Sequence, residues 1–200
     1  MSDLKATQIT AVILAGGKGR RFSGSDKGLI KFRQRPLIEH LIDAISPQVK
    51  QILINANRNQ AIYEQYGYPV INDAMSDYQG PLAGFSVALS QVDTTHILTL
   101  PCDGPFMHSS YVSRMCDTLN QQQAELAVAH DGTRLQPVHA LIPVSLKASL
   151  DDFLESGDRK IGRWYAHHKV ALVDFSDSPK IFKNINTAEQ LAELESSHND

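Results

Sequence analysis

Between Val12 and Gly28 the chain reads VILAGGKGRRFSGSDKG, and no other stretch restricts the fold as much. Val12 to Ala15, led in by Ile9 and Ala11, is a short apolar run of the kind that forms a strand buried on both faces, and it breaks at Gly16-Gly17. The loop that follows is rich in glycine (Gly16, Gly17, Gly19, Gly24 and Gly28), which lets backbone N–H groups turn inward. It also carries Lys18, Arg20, Arg21 and Lys27 against one acid, Asp26. A buried strand that opens into a cationic glycine loop suits a polyphosphate.

Two familiar phosphate loops fail against it. A Walker A loop needs a hydroxyl residue after Gly-Lys, and Gly17-Lys18 is followed by Gly19. A dinucleotide fingerprint needs a small residue at position 22, where Phe22 stands, so close packing of helix on strand is not encoded. What remains, Leu14-Ala15-Gly16-Gly17-x-Gly19-x-Arg21 with Lys27 beyond it, resembles the signature loop of nucleotidyltransferases that activate a sugar, alcohol or phosphate with a nucleoside triphosphate.

The 200 residues are enough for one domain, 1–200 with an ordered core of about 8–195, built on a central sheet covered on both faces. No stretch approaches the roughly 20 apolar residues that span a bilayer. The polar start MSDLKATQ and only two cysteines point to a reducing cytoplasm, and disulfides are not expected. A net charge of −3, with no basic cluster outside the glycine loop, argues against nucleic acid or an anionic membrane as partner.

Strand and helix signals alternate along the chain. Strands are expected at residues 12–15, 29–32, 51–55, 68–71, 95–100, 125–130, 138–142 and 170–175, with 181–185 short and extended. Helices are expected from Pro36 to Pro47, Asn59 to Tyr66, Pro81 to about Gln91, Ser109 to Asn120, Ser145 to Glu155, Arg159 to His167, and after Thr187. The turn Asp131-Gly132 suggests an antiparallel edge. This order predicts an α/β, three-layer, Rossmann-like and mostly parallel doubly wound sheet, which binds its ligand outside the carboxyl ends of its strands. Four of those ends carry Leu14 to Gly17, Asn55, Asp73 and Asp103.

Asp103, directly after THILTLPC, is placed to hold a magnesium ion against phosphate oxygens, the alternative being a turn aspartate. Lys27 reads as a charge partner for phosphate, or else a solvated lysine; Asp26 beside it has no clear role. Asn184 and Asn186, one residue apart on extended chain, point to one side and can share a ligand or cap the following helix. The eight histidines show no metal-ligand spacing, Cys102 has no neighbour that would activate it, and Trp164 reads as core. Arg134, Arg159 and Lys160 read as solvated charges that could reach an anionic acceptor.

LAGGKGRRF with SDKG, GPLAG at 80–84, PCDGP at 101–105 and NINT at 184–187 together resemble the molybdenum cofactor guanylyltransferases, from about Thr10 to Leu194. The resemblance implies transfer of GMP from magnesium GTP to the terminal phosphate of molybdopterin carrying molybdenum, with release of pyrophosphate. It implies GTP contacts at Leu14, Ala15, Gly16, Gly17, Lys27, Asn55, Asp73 and Asp103, with Asp103 also the magnesium ligand, a catalytic role for Arg21 beside Lys27 and Asp103, and acceptor handling by Asn184 and Asn186. It implies further partners that deliver molybdopterin or chaperone molybdoenzymes. Phe22-Ser23 departs from the Met-Gly that the family usually places before Gly24. Two rivals stand beside this reading: a cytidylyltransferase on the same scaffold, and a nucleotide-binding module without turnover.

Overall fold

The computed structural model describes residues 3–15, 26–73, 80–185 and 187–196. Gly16, Gly17 and Arg21 of the glycine loop, and Asn186, lie outside the described residues.

Seven strands form one sheet in the order β5-β4-β1-β6-β8-β7-β9. The central pair is β1 (Ile9–Leu14) and β6 (His96–Pro101), flanked on one side by β4 (Gln51–Asn55) and the short β5 (Val70–Ile71), all parallel. On the other side lie β8 (Leu135–Pro143), β7 (Leu126–His130) and β9 (Val170–Asp174). The antiparallel hairpin foreseen around Asp131-Gly132 is present, and its second strand, β8, inserts between β6 and β7 and runs against both. β9, parallel to β7, forms the margin. β1 sits in the middle because Ile9, Ala11, Val12 and Ile13 are apolar and the one polar side chain, Thr10, pairs its hydroxyl with Thr94 Oγ1 at 2.7 Å, so all five residues are fully buried.

Alternation along β1 divides the interior in two. Ile9, Ala11 and Ile13 face α1 (Leu37–Ile45) and α4 (Tyr111–Gln122), where Ile38, Leu41, Met115 and Leu119 pack against them. Val12 faces α3 (Pro81–Gln91), α5 (Lys147–Glu155) and α6 (Ile161–Tyr165), through Phe85, Leu150 and Trp164. Trp164 is fully buried, and its indole donates to Ser149 Oγ at 3.2 Å, as a core anchor should. α2 (Gln60–Tyr63) continues into a single 3₁₀ turn that Gly67 ends in the left-handed region, φ 78°. No helix among the described residues is long and apolar enough to cross a membrane.

Two local expectations are corrected. The strand expected at 29–32 begins only at Lys31, because Asp26 caps a 3₁₀ turn over Lys27–Leu29 by accepting from Gly28 N. The segment expected to be extended at 181–185 starts as a 3₁₀ turn, Pro179–Phe182, since Pro179 is preset for a first turn and Ile181 and Phe182 both bury their side chains. Thr187 does cap the last helix, α7 (Ala188–Ser196), accepting from Gln190 N at 3.2 Å.

β2 (Lys31–Phe32) and β3 (Arg35–Pro36) form a small separate hairpin. Its two turn residues, Arg33 and Gln34, have φ of 50° and 65°, the pattern of a type I′ turn that favours Asn-Gly. Gln34 has a side chain where glycine fits without strain. Gln34→Gly is therefore expected to stabilise the protein by about 0.5–1 kcal/mol, read as a higher urea midpoint at unchanged slope; a lower midpoint refutes the strain argument.

Candidate functional site

The parallel pairing of β5, β4, β1 and β6 puts their four carboxyl ends side by side. The rim is stitched by backbone: Ala15 N donates to Asn55 O at 2.8 Å, Cys102 N to Leu14 O at 3.2 Å, and Ala56 N to Ile71 O at 2.8 Å. Leu14, Ala15, Asn55, Asp73 and Asp103, singled out along 90 residues of sequence, thus share one edge.

On the β4–β5 side, three polar residues lock together. Asn55, 3% exposed, donates through Nδ2 to Asp73 Oδ1 at 3.0 Å. Asn57 Nδ2 donates to Asp73 Oδ2 at 2.7 Å, and Asp73 N donates back to Asn57 Oδ1 at 2.8 Å. Asn57 went unnoticed in the sequence, although its spacing of two residues from Asn55 at a strand exit is the signal that would have found it. α3 presses on this group through Gly84. A Cβ there would stand 2.7 Å from Asn55 Oδ1 and 3.1 Å from Leu14 Cδ2. Gly84→Ala is expected to cost about 1–3 kcal/mol of stability by overpacking. Gly162→Ala, in α6 with open space around it, should be neutral or mildly stabilising. Urea denaturation of both variants checks the contrast, and equal midpoints would remove the claim of close approach.

On the β6 side, Lys27 Nζ meets Asp103 Oδ2 at 3.0 Å across 76 positions of sequence. Asp103 is buried, and its other oxygen, Oδ1, accepts no hydrogen bond among the described residues. A buried carboxylate oxygen left without a donor is costly in a folded protein unless something else neutralises it. Asp103 O also accepts from Ile185 N at 3.0 Å, which draws the segment before α7 onto the rim. Asn184 Oδ1 consequently lies 3.4 Å from where a Cβ on Gly104 would be. Asp26 is 6% exposed and accepts from Tyr63, Asn59 and Gly28, so it is an anchor beneath the lysine. Burial pushes the Cys102 thiol well above its ordinary range, and the acids Asp103 and Asp26 push it further, which keeps it protonated and inert.

Burial lowers His96 to about 4 and His139 to about 3, so both are neutral near pH 7, His139 in the interior and His96 half-buried. His168 bridges Ser149 Oγ at 3.0 Å and Glu125 Oε1 at 3.5 Å at the opposite end of the sheet. Arg134 lies 3.5 Å from Asp131, and Arg159 donates to the carbonyls of Leu154 and Asp158. Among the described residues no three acids, cysteines or histidines cluster as a metal cage.

Comparison with known proteins gives the family. Residues 11–172 match the model of the MobA-like NTP transferase domain. The chain belongs to that family. A molybdenum cofactor guanylyltransferase of Shewanella halifaxensis is 51% identical over 187 residues, 94% of each chain. One of Shewanella frigidimarina is 52% identical over 189 residues, 94% of this chain and 96% of its own. The fold extends to more distant proteins: the molybdopterin-guanine dinucleotide biosynthesis protein A of Archaeoglobus fulgidus superimposes with a TM-score of 0.79 at 22% identity, covering 95% of this chain and 98% of its own. A 4-diphosphocytidyl-2C-methyl-D-erythritolsynthase of Anaerococcus prevotii reaches 0.70 at 15% identity, covering 98% and 100%. At these identities the two superpositions show a shared fold.

Proposed function

We propose that this enzyme transfers GMP from GTP to the terminal phosphate of molybdopterin carrying molybdenum, releasing pyrophosphate and forming the guanine dinucleotide. The pairing of Lys27 with a buried, half-satisfied Asp103 beside the amide-rich end of β4 is the observation that carries this reading, together with relatives about half identical over nearly the whole chain.

A phosphate oxygen of the acceptor attacks the α-phosphorus of GTP, the bond to the bridging oxygen breaks, and pyrophosphate leaves with the electron pair. Both partners are anionic, so the protein's work is positioning and charge neutralisation. Lys27 supplies a cation to the phosphates, assisted by the loop N–H groups and Arg21 in the sequence reading. No general base is required, since a phosphate monoester with a second pKa of about 6 is largely ionised near neutrality. Asp103 Oδ1 fits a divalent cation of the magnesium type, which takes one or two carboxylates and completes its shell with water and substrate phosphate oxygens. Asp103 would hold such an ion, which would supply positive charge to offset that of the phosphates. Asn184 and Asn186 are assigned to the acceptor from the sequence alone.

The base is read at the other half. Guanine offers donors at N1 and N2 and an acceptor at O6, and adenine presents N1 and its exocyclic group with reversed polarity. Backbone groups at Leu14 and Ala15 and the amide of Asn55 are suited to that edge. Asp73 is held by Asn55 and Asn57 and remains able to accept from ribose hydroxyls. A wrong base leaves buried groups unpaired at about 1–3 kcal/mol each. Calorimetric titration with GTP, CTP and ATP in magnesium should therefore show GTP tightest by at least tenfold. CTP binding as tightly as GTP moves the chain to the cytidylyltransferase reading, and selective GTP binding without transfer to molybdopterin removes the acceptor.

A further inference from the structure

Beneath Lys27 lies a buried polar group to which the reaction itself gives no part. Asp26 Oδ1 accepts from the Tyr63 hydroxyl at 2.7 Å and from Gly28 N at 3.3 Å, and Oδ2 accepts from Asn59 Nδ2 at 3.3 Å. Tyr63 is fully buried, and burial together with the nearby anionic groups holds its phenol far above the ordinary range, so it stays a donor. Gly28 closes on the same hydroxyl, with its hypothetical Cβ 2.7 Å from the Tyr63 oxygen and 3.3 Å from Cys102. The two residues that flank Lys27 are thus both held against one phenol. Tyr63 and Asn59 belong to the β4–β5 connection, whose first residues include Asn57 of the amide cluster.

We propose that Asp26 is a positioning residue for Lys27, fixed by Tyr63 and Asn59, so that the connection carrying the base-side amides also sets where the phosphate-side cation stands. The inference rests on the function proposed above. A lysine side chain is flexible, and the placement of its ammonium group depends on how firmly its backbone is held. Asp26 holds it from before and Gly28 from behind. Sequence reading left Asp26 without a role because its two side-chain donors lie 33 and 37 positions away.

Tyr63→Phe keeps the ring and removes the hydroxyl. Asn59→Gly removes the other donor and suits the left-handed backbone there, φ 52°. Each is expected to lower kcat about tenfold with the KM for GTP within about twofold, whereas Tyr66→Phe leaves both unchanged. In a Lys27→Ala background, Tyr63→Phe should add less than about a twofold loss, because its effect passes through the missing lysine. A tenfold loss in both backgrounds, or full kcat in Tyr63→Phe, overturns the proposal. A second readout needs no turnover: in reductively ¹³C-methylated protein without nucleotide, the Lys27 resonance, assigned by its absence from Lys27→Ala, should move toward the free-lysine position in Tyr63→Phe. An unmoved resonance also overturns it. Should the wild-type protein fail to transfer GMP, the function is lost and the resonance still decides the positioning role.

Discussion

Asp103→Asn is expected to lower GMP transfer at least a thousandfold while the protein keeps its fold and its melting temperature to within about 3 °C. The first half follows from charge: the carboxylate at the end of β6 meets Lys27 Nζ at 3.0 Å, and losing its share of metal and phosphate neutralisation corresponds to about 4 kcal/mol or more of the barrier. The second half follows from burial. Asp103 Oδ1 accepts no hydrogen bond among the described residues, so its ionised form gains little from the folded protein on that side. Asparagine also keeps an oxygen that can accept from Lys27, so the substitution removes a charge without removing the hydrogen bond. The backbone bond from Ile185 N is untouched by the substitution. Pyrophosphate release measured beside thermal unfolding decides the matter, and turnover at the wild-type rate would remove Asp103 from the chemistry.

Lys27→Ala should lower kcat/KM by tenfold to more than a hundredfold, the loss of one charge-assisted hydrogen bond to phosphate at about 1.5–3 kcal/mol. Lys31→Ala, four residues on and exposed, should change it less than about twofold. The two variants differ in place and not in charge removed, so the contrast separates a directed contact from general electrostatic attraction. Salt supplies a further check: a general field is screened at high ionic strength, and a contact in a partly buried site is screened much less. Equal losses from Lys27→Ala and Lys31→Ala would mean that the cation is not where the Asp103 contact puts it.

Much of the rim could be read before any coordinates. β1 announces itself because its run is apolar except for Thr10, and a strand with no charged or strongly polar face must lie inside a sheet. The end of β1, the amide at the end of β4 and the acids after β5 and β6 then fall on one edge through the general rule for parallel sheets. The pairing of β7 with β8 was visible in a turn, yet their order was not. β8 lies between β6 and β7, a choice made by packing of whole strands and not by any local residue. The 3₁₀ turn at Pro179–Phe182 was hidden for a related reason: a few apolar residues fit an extended segment and a buried turn equally well.

By itself the sequence determined which residue types the strand ends carry and that a cationic, glycine-rich stretch follows the first of them, because strand periodicity, glycine content and charge are local properties of the chain. Only the tertiary structure decided which of those residues touch. Lys27 finds Asp103 from 76 positions away, Asp26 finds Tyr63 from 37, and Asn55 binds Asp73 across the crossover that carries Asn57. Gly84 is needed because a helix is pressed against Asn55 and Leu14 at a distance that admits no side chain. Contacts of this kind depend on how elements far apart in sequence are brought together and buried, and a periodicity that repeats every two or four residues holds no record of that distance.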